Sequence, residues 1–166
     1  MERQFIRESI DFIIDTLKIT AVVLVFNTFI ASLCIVNGQS MYPTLKDKDI
    51  LLIEKVYKSY SYGDIVVTNN HNKLNKSLVK RVIGLPGDTI TVSENGEIEV
   101  NGEVSIYNFE SSYMGDIDYP YIVPDDSLFL VGDNRNNSTD SRFSSIGSIN
   151  KSDILGKVVV NLTYWR

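Results

Sequence analysis

Asp88–Glu103 reads DTITVSENGEIEVNGE, two runs that alternate apolar and polar residues about an Asn-Gly pair, with a second Asn-Gly at Asn101 and Gly102. Alternation with a period of two puts one set of side chains on each face of a strand. Asn-Gly supplies the positive φ values of a type I′ turn, so the segment is expected to be a hairpin continuing into a meander. Working outward, DILLIEKV from Asp49, GDIVVTN from Gly63, SLVKRVIGL from Ser77, SLFLVGD from Ser127 and ILGKVVVNLTYW from Ile154 are further short Val, Ile and Leu runs. Each is bounded by Gly, Asp, Asn or Pro, the pattern of a mainly β domain. Glu103–Asp126, rich in Tyr, Ser and Asp, has weak periodicity and reads as irregular.

The N-terminal part is different. From Ile19 to Val36 the chain reads ITAVVLVFNTFIASLCIV, with no charge between Lys18 and Lys46. Such a length suits one crossing of a hydrocarbon core as a helix, and a transmembrane anchor over 19–36 is expected. A cleaved secretory signal fits less well, because Glu2, Glu8, Asp11 and Asp15 lie among the bases ahead of the apolar run. A lipoprotein site at Cys34 would want a small residue before it, and Leu33 stands there. Residues 1–18 form a tail with helically spaced Ile6, Ile10, Ile13, Ile14 and Leu17 that suits a membrane surface, and Arg3, Arg7 and Lys18 put it in the cytoplasm.

With 166 residues the chain holds one ordinary domain beside such a segment. A net charge of -5 excludes the clustered basic surface that phosphate backbones require, so no nucleic-acid partner is expected. The single cysteine, Cys34, cannot close an internal disulfide.

The chemistry must be sought without a rich histidine set. His71, the one histidine, lies in the polar stretch NNHNKLNK and reads as part of a surface loop. Lys80 interrupts the run Leu78–Ile83, otherwise that of a buried strand, and is followed by Arg81. Neighbours on a strand point to opposite faces, so one of the two is expected inside. A desolvated lysine loses its proton more readily and becomes a base, although strand context alone favours a stem along the sheet with the ammonium in water. Ser40 in GQSMYPTL directly follows the apolar run, where Pro43 stiffens the chain into a turn-like course. Alone it reads as polar loop. Gly132–Arg142, GDNRNNSTDSR, has the composition of a surface turn, but its alternating acids and bases can also scaffold a hydroxyl, Ser138, against an amine.

Taken together, SMYPTL (Ser40–Leu45), GDIVV (Gly63–Val67), KRVIGLPGD (Lys80–Asp88) and GDNRNNSTDSR (Gly132–Arg142) closely resemble the type I signal peptidases, in the order that family shows. The resemblance implies a catalytic core of antiparallel sheets over 37–88 and 127–166, with a smaller β subdomain inserted at 89–126. It implies Ser40 as nucleophile, Lys80 as base in a bacterial-type Ser-Lys dyad, and Ser138 as the group that orients the Lys80 amine. Asp140 and Arg142 would be a supporting pair, with Asp133 and Arg135 shaping the loop. Gly38 stands where many members carry an oxyanion-binding serine, which leaves the Ser40 N–H and a second, unidentified donor. Val36 and Val79, neighbours of the dyad, are expected to line the substrate pockets. No metal or cofactor is implied.

The expected partners are preproteins bearing signal peptides and the lipid membrane. The expected location is the bacterial cell membrane, single-pass, with the catalytic domain outside the cytoplasm. A self-cleaving regulatory protease of the SOS-repressor type would share the Ser-Lys chemistry but would want a DNA-binding N-terminus. A non-catalytic tethered binding protein would need neither serine nor the strand lysine.

Overall fold

The computed structural model describes residues 2–56, 59–69 and 75–165. One long helix, α1 (Glu2–Phe29), leads into β1 (Ala31–Ile35), β2 (Ile50–Glu54), β3 (Ile65–Thr68), β4 (Val79–Gly84), β5 (Thr89–Val92), β6 (Ile98–Val100), β7 (Glu103–Val104), β8 (Tyr121–Ile122), β9 (Ser127–Val131), β10 (Ile149–Asn150) and β11 (Ile154–Asn161). The larger sheet has the order β1-β2-β11-β3-β4-β9-β10 and the smaller β7-β6-β5-β8, all pairs being antiparallel. The smaller sheet is built from the chain between β4 and β9.

The expected spanning helix over 19–36 is corrected by this arrangement. The helix stops at Phe29, and Ala31–Ile35 pair residue by residue with β2 as an edge strand. Within that strand Leu33 and Ile35 are exposed while Ser32 and Cys34 are half-buried, the alternation of a strand and not of a helix. Ahead of Ile19 the helix carries Arg3, Arg7, Glu8, Asp11, Asp15 and Lys18. The uncharged part from Ile19 to Phe29 is therefore only about 16 Å long at 1.5 Å per residue, against a hydrocarbon core of about 30 Å. Among the described residues no helix is long and apolar enough to cross a membrane.

The two Asn-Gly pairs close different turns. At Asn101-Gly102 both residues have positive φ, 54° and 83°, and Val100 pairs with Glu103, as a two-residue type I′ hairpin requires. At Asn95-Gly96 only Gly96 does, with φ 78°. There the Gly96 N–H donates to the Ser93 carbonyl at 2.8 Å and the Ser93 N–H to Glu97 at 2.9 Å, a wider turn with one left-handed glycine at its end.

Three apolar clusters fix the scaffold. Val66, Val82, Leu128 and Leu130 pack with Ile146, Ile149 and Ile154 on the larger sheet. Ile83, Phe129 and Val131 pack against Ile90, Val92, Ile98 and Val123, so the smaller sheet is seated on the larger one. Val36, Met41 and Leu45 pack on Leu51, Ile53 and Val67, and this third cluster holds the Ser40 turn down onto the sheet. As a result β4 is covered on both sides, and every residue from Lys80 to Gly84 is buried.

Candidate active site

Ser40 lies in the turn between β1 and β2, fixed at both ends. The Val36 N–H donates to the Asp49 carbonyl and the Lys48 N–H to the Val36 carbonyl, each at 2.9 Å, while the Leu45 N–H closes on Met41 at 2.8 Å. The Tyr42–Pro43 peptide within it is cis. Opposite stands Lys80 on β4, only 3% exposed, with its Nζ 2.6 Å from Ser40 Oγ and 3.1 Å from the Val79 carbonyl. Burial away from water pulls the amine down from its ordinary 10.5 to about 8; Asp140 and Asp133 oppose the fall and Arg142 assists it. A large fraction of the amine is therefore neutral in mildly alkaline water, and in that form the 2.6 Å contact runs from the serine hydroxyl to the nitrogen.

One of the two is expected inside; both Lys80 and Arg81 are buried, on opposite faces of the strand. Alternation still holds, because each face of β4 has its own covering. Arg81 forms a bidentate pair with Asp133, Nε to Oδ1 at 2.8 Å and Nη2 to Oδ2 at 2.6 Å. Its Nη1 donates to the Gly63 carbonyl at 2.7 Å, and the guanidinium lies 4.9 Å from the Tyr107 ring centre. Sequence reading missed this pair. The signal was available in the adjacency of Arg81 to Lys80, since an always-charged group in a covered strand requires a carboxylate.

The Gly132–Arg142 loop is held by a second buried pair. Asp140 accepts from Arg142 Nε at 2.9 Å and Nη2 at 3.0 Å, and also from the Gly132 N–H at 3.0 Å. Arg142 reaches on to the carbonyls of Arg135 at 2.8 Å and Tyr113 at 3.1 Å. Arg135 donates to the carbonyls of Gly132, at 3.1 Å, and Tyr107, which ties the loop to the smaller sheet. Desolvation, with the nearby Arg142 charge, pulls its guanidinium down to about 10. Ser138 is buried, yet its hydroxyl has no hydrogen-bond partner among the described residues, so the expected bond to the Lys80 amine is not made. The amine is already engaged by Ser40 and the Val79 carbonyl. Ser138 instead packs against Gly132, where a Cβ would strike both its hydroxyl and the Ser40 carbonyl.

Gly38 has φ +97° and open space where a Cβ would be, and its N–H donates to Asp47 Oδ1 at 2.8 Å. Val36 and Val79 line a cavity of about 120 Å³ together with Ser40, Lys80, Cys34 and Leu78. His71 lies outside the described residues. No cluster of His, Cys, Asp and Glu suited to a metal ion occurs among the described residues.

Residues 9–165 match the family described as Signal peptidase, peptidase S26. The chain belongs to that family. Among signal peptidase relatives, Signal peptidase I P of Bacillus subtilis subsp. natto is 41% identical, the match covering 87% of this chain and 85% of the relative. Signal peptidase I of Leptolyngbya laminosa is 38% identical over 83% of this chain and 70% of its own. A solved signal peptidase I from Enterococcus faecalis V583 overlays 61% of this chain and 97% of its own at 24% identity and TM-score 0.49. As a signal peptidase family member the chain is a serine endopeptidase.

Proposed function

We propose that this enzyme removes N-terminal signal peptides from exported preproteins after small residues, with Ser40 and Lys80 as a catalytic dyad. The observation that carries the reading is the 2.6 Å contact between Ser40 Oγ and the desolvated Lys80 Nζ. Neutral Lys80 takes the Ser40 proton as Oγ attacks the scissile carbonyl, then gives it to the departing amine, and finally draws a proton from the water that hydrolyses the acyl-enzyme. The oxyanion accepts from the Ser40 N–H; the Gly38 N–H is committed to Asp47. Ser138, buried with its hydroxyl unengaged, takes a hydrogen bond from the ammonium once it forms. Asp140 and Arg142 hold the loop that carries it, while Asp133 holds Arg81 and Arg135 binds the loop to Tyr107.

The substrate adds as a strand along the open edge of β1, with alternate side chains turned toward the cavity beside Val36 and Val79. A cavity of about 120 Å³ suits small side chains. The exposed apolar side chains of α1, among them Phe5, Phe12, Leu17, Val22 and Phe29, joined by Leu33 and Ile35 of β1, support attachment to the bacterial membrane; the catalytic domain belongs on the extracytoplasmic side, where exported preproteins emerge. Tethering enzyme and preprotein to one surface raises their effective concentration.

The test is cleavage of a reporter preprotein in membranes by wild type, Ser40→Ala, Lys80→Ala and His71→Ala. The dyad predicts loss in the first two variants and retention in the third; an active Lys80→Ala with an inactive His71→Ala would overturn it. Separation of membrane and soluble fractions in the same preparation tests the attachment.

A further inference from the structure

We infer that Asn134 is the positioning residue that aims the oxyanion-binding N–H of Ser40; the inference rests on the dyad reading above. The side-chain Nδ2 of Asn134 donates to the Gln39 carbonyl at 3.0 Å, and its own backbone N–H donates to the Ser40 carbonyl at 3.0 Å. These two carbonyls flank the nucleophile. The Gln39 C=O and the Ser40 N–H belong to the same peptide unit, which is planar and trans, so a bond that fixes one fixes the direction of the other. Holding the carbonyl toward Asn134 turns the N–H to the opposite side, and no group among the described residues accepts from it.

The neighbouring amide cannot take over this work, because the Gly38 N–H is held by Asp47. Nor does the glycine itself stiffen the chain: at φ +97° with open space around it, the segment ahead of Gln39 has the conformational freedom of glycine. Within the turn the Tyr42 N–H donates to the Gln39 carbonyl at 3.1 Å, and Asn134 adds the clamp from outside it at two points. Asn134 is itself set by the buried frame of its loop, lying directly after Asp133, which is locked to Arg81, and before the 3-10 turn Arg135–Asn137.

In Asn134→Ala the side-chain bond is lost while the backbone bond to Ser40 can remain. The Gln39 carbonyl then keeps only the Tyr42 N–H, so the Gln39–Ser40 peptide is held less firmly, and a misaimed donor lowers the rate by less than the two to three orders of magnitude of a deleted one. The experiment is steady-state cleavage of a preprotein by the full-length enzyme in detergent micelles, with active sites counted by a serine-acylating inhibitor. For Asn134→Ala, kcat per active site should fall about 10- to 100-fold, KM should stay within about twofold, and the acid limb of the pH profile should keep its midpoint near the Lys80 value of about 8. Asn134→Asp, the same shape without a donor, should lose at least as much. Asn136→Ala, whose side chain in the same loop accepts from Ser112, should retain wild-type kcat.

A kcat within twofold of wild type in both Asn134 variants overturns the inference. So does a loss in Asn134→Ala accompanied by a displaced midpoint, which would put the effect on the dyad and not on the oxyanion. Activity surviving in Ser40→Ala would instead remove the dyad reading, and this inference with it.

Discussion

Replacing Lys80 with methionine should make the protein more stable at neutral pH, and the gain should vanish in alkali. In the unfolded chain the lysine keeps its proton up to about 10.5, whereas in the folded site it releases it at about 8. Between these values the unfolded state binds more protons, so the lysine's contribution to stability improves as pH rises through that window. Below pH 8 both states are protonated and the cost of keeping an ammonium 3% exposed is borne in full. A difference of about 2.5 at about 1.36 kcal/mol per pH unit is roughly 3 kcal/mol. Methionine fills similar space without the charge, and it forgoes the Ser40 contact, worth about 1 kcal/mol. Urea denaturation of wild type and Lys80→Met at several pH values isolates this group, because every other titration is common to both. The stability difference in favour of methionine should be about 2 kcal/mol at pH 7 and should shrink by roughly 3 kcal/mol by pH 10.5. A difference that does not change between pH 7 and 10.5 would refute the argument that burial is what makes this lysine a base.

The same pKa governs activity: kcat/KM should climb about tenfold per pH unit up to about pH 8 and then level, so a flat profile to pH 5 with chemistry limiting would exclude a neutral lysine. Asp133→Ala should destabilise the fold by about 3–5 kcal/mol in urea, because it strands the Arg81 guanidinium without its counter-charge in a covered strand. Gly132→Ala should abolish cleavage out of proportion to its effect on stability, since the added methyl strikes the Ser138 hydroxyl and the Ser40 carbonyl; circular dichroism melting beside the preprotein assay separates the two. Phe12→Glu combined with Val22→Glu should release the protein from vesicles of bacterial lipid in a co-sedimentation assay while leaving cleavage of a soluble peptide intact.

The strands were legible wherever alternation or a β-branched run met turn formers, as at Asp49–Val56, Gly63–Asn69 and Ser127–Asp133, which contain β2, β3 and β9. β1 was not, because Ala31–Ile35 continue an uncharged run and only pairing with β2 distinguishes strand from helix there. The two-residue strands β8 and β10 carry no periodicity to read. In the site, Ser40, Lys80 and the Gly132–Arg142 loop could be found by motif, but their partners could not. The Arg81–Asp133 and Asn134–Gln39 contacts join residues far apart in the chain, and no local pattern announces a long-range bond. Asp47 was invisible for another reason: its acceptor role depends on the backbone course of Gly38, which spacing does not disclose.

Covering β4 on both sides makes its pairing a chemical variable as well as a structural one. Val66 faces Lys80 and Ile65 faces Arg81 across the ladder. Slipping the strand by a single residue, so that Arg81 took the place of Lys80, would bring to Ser40 a guanidinium that has no acceptor nitrogen, carry the amine to the Val79 position and leave Val82 beside Asp133. The nucleophile would have no base, and the Asp133 carboxylate would lose its counter-charge. A deletion inside Val79–Arg81 should therefore cost activity and stability together, whereas a residue lost from the solvent-exposed approach at Asn75–Ser77 leaves the pairing, and with it the identity of the base, unchanged.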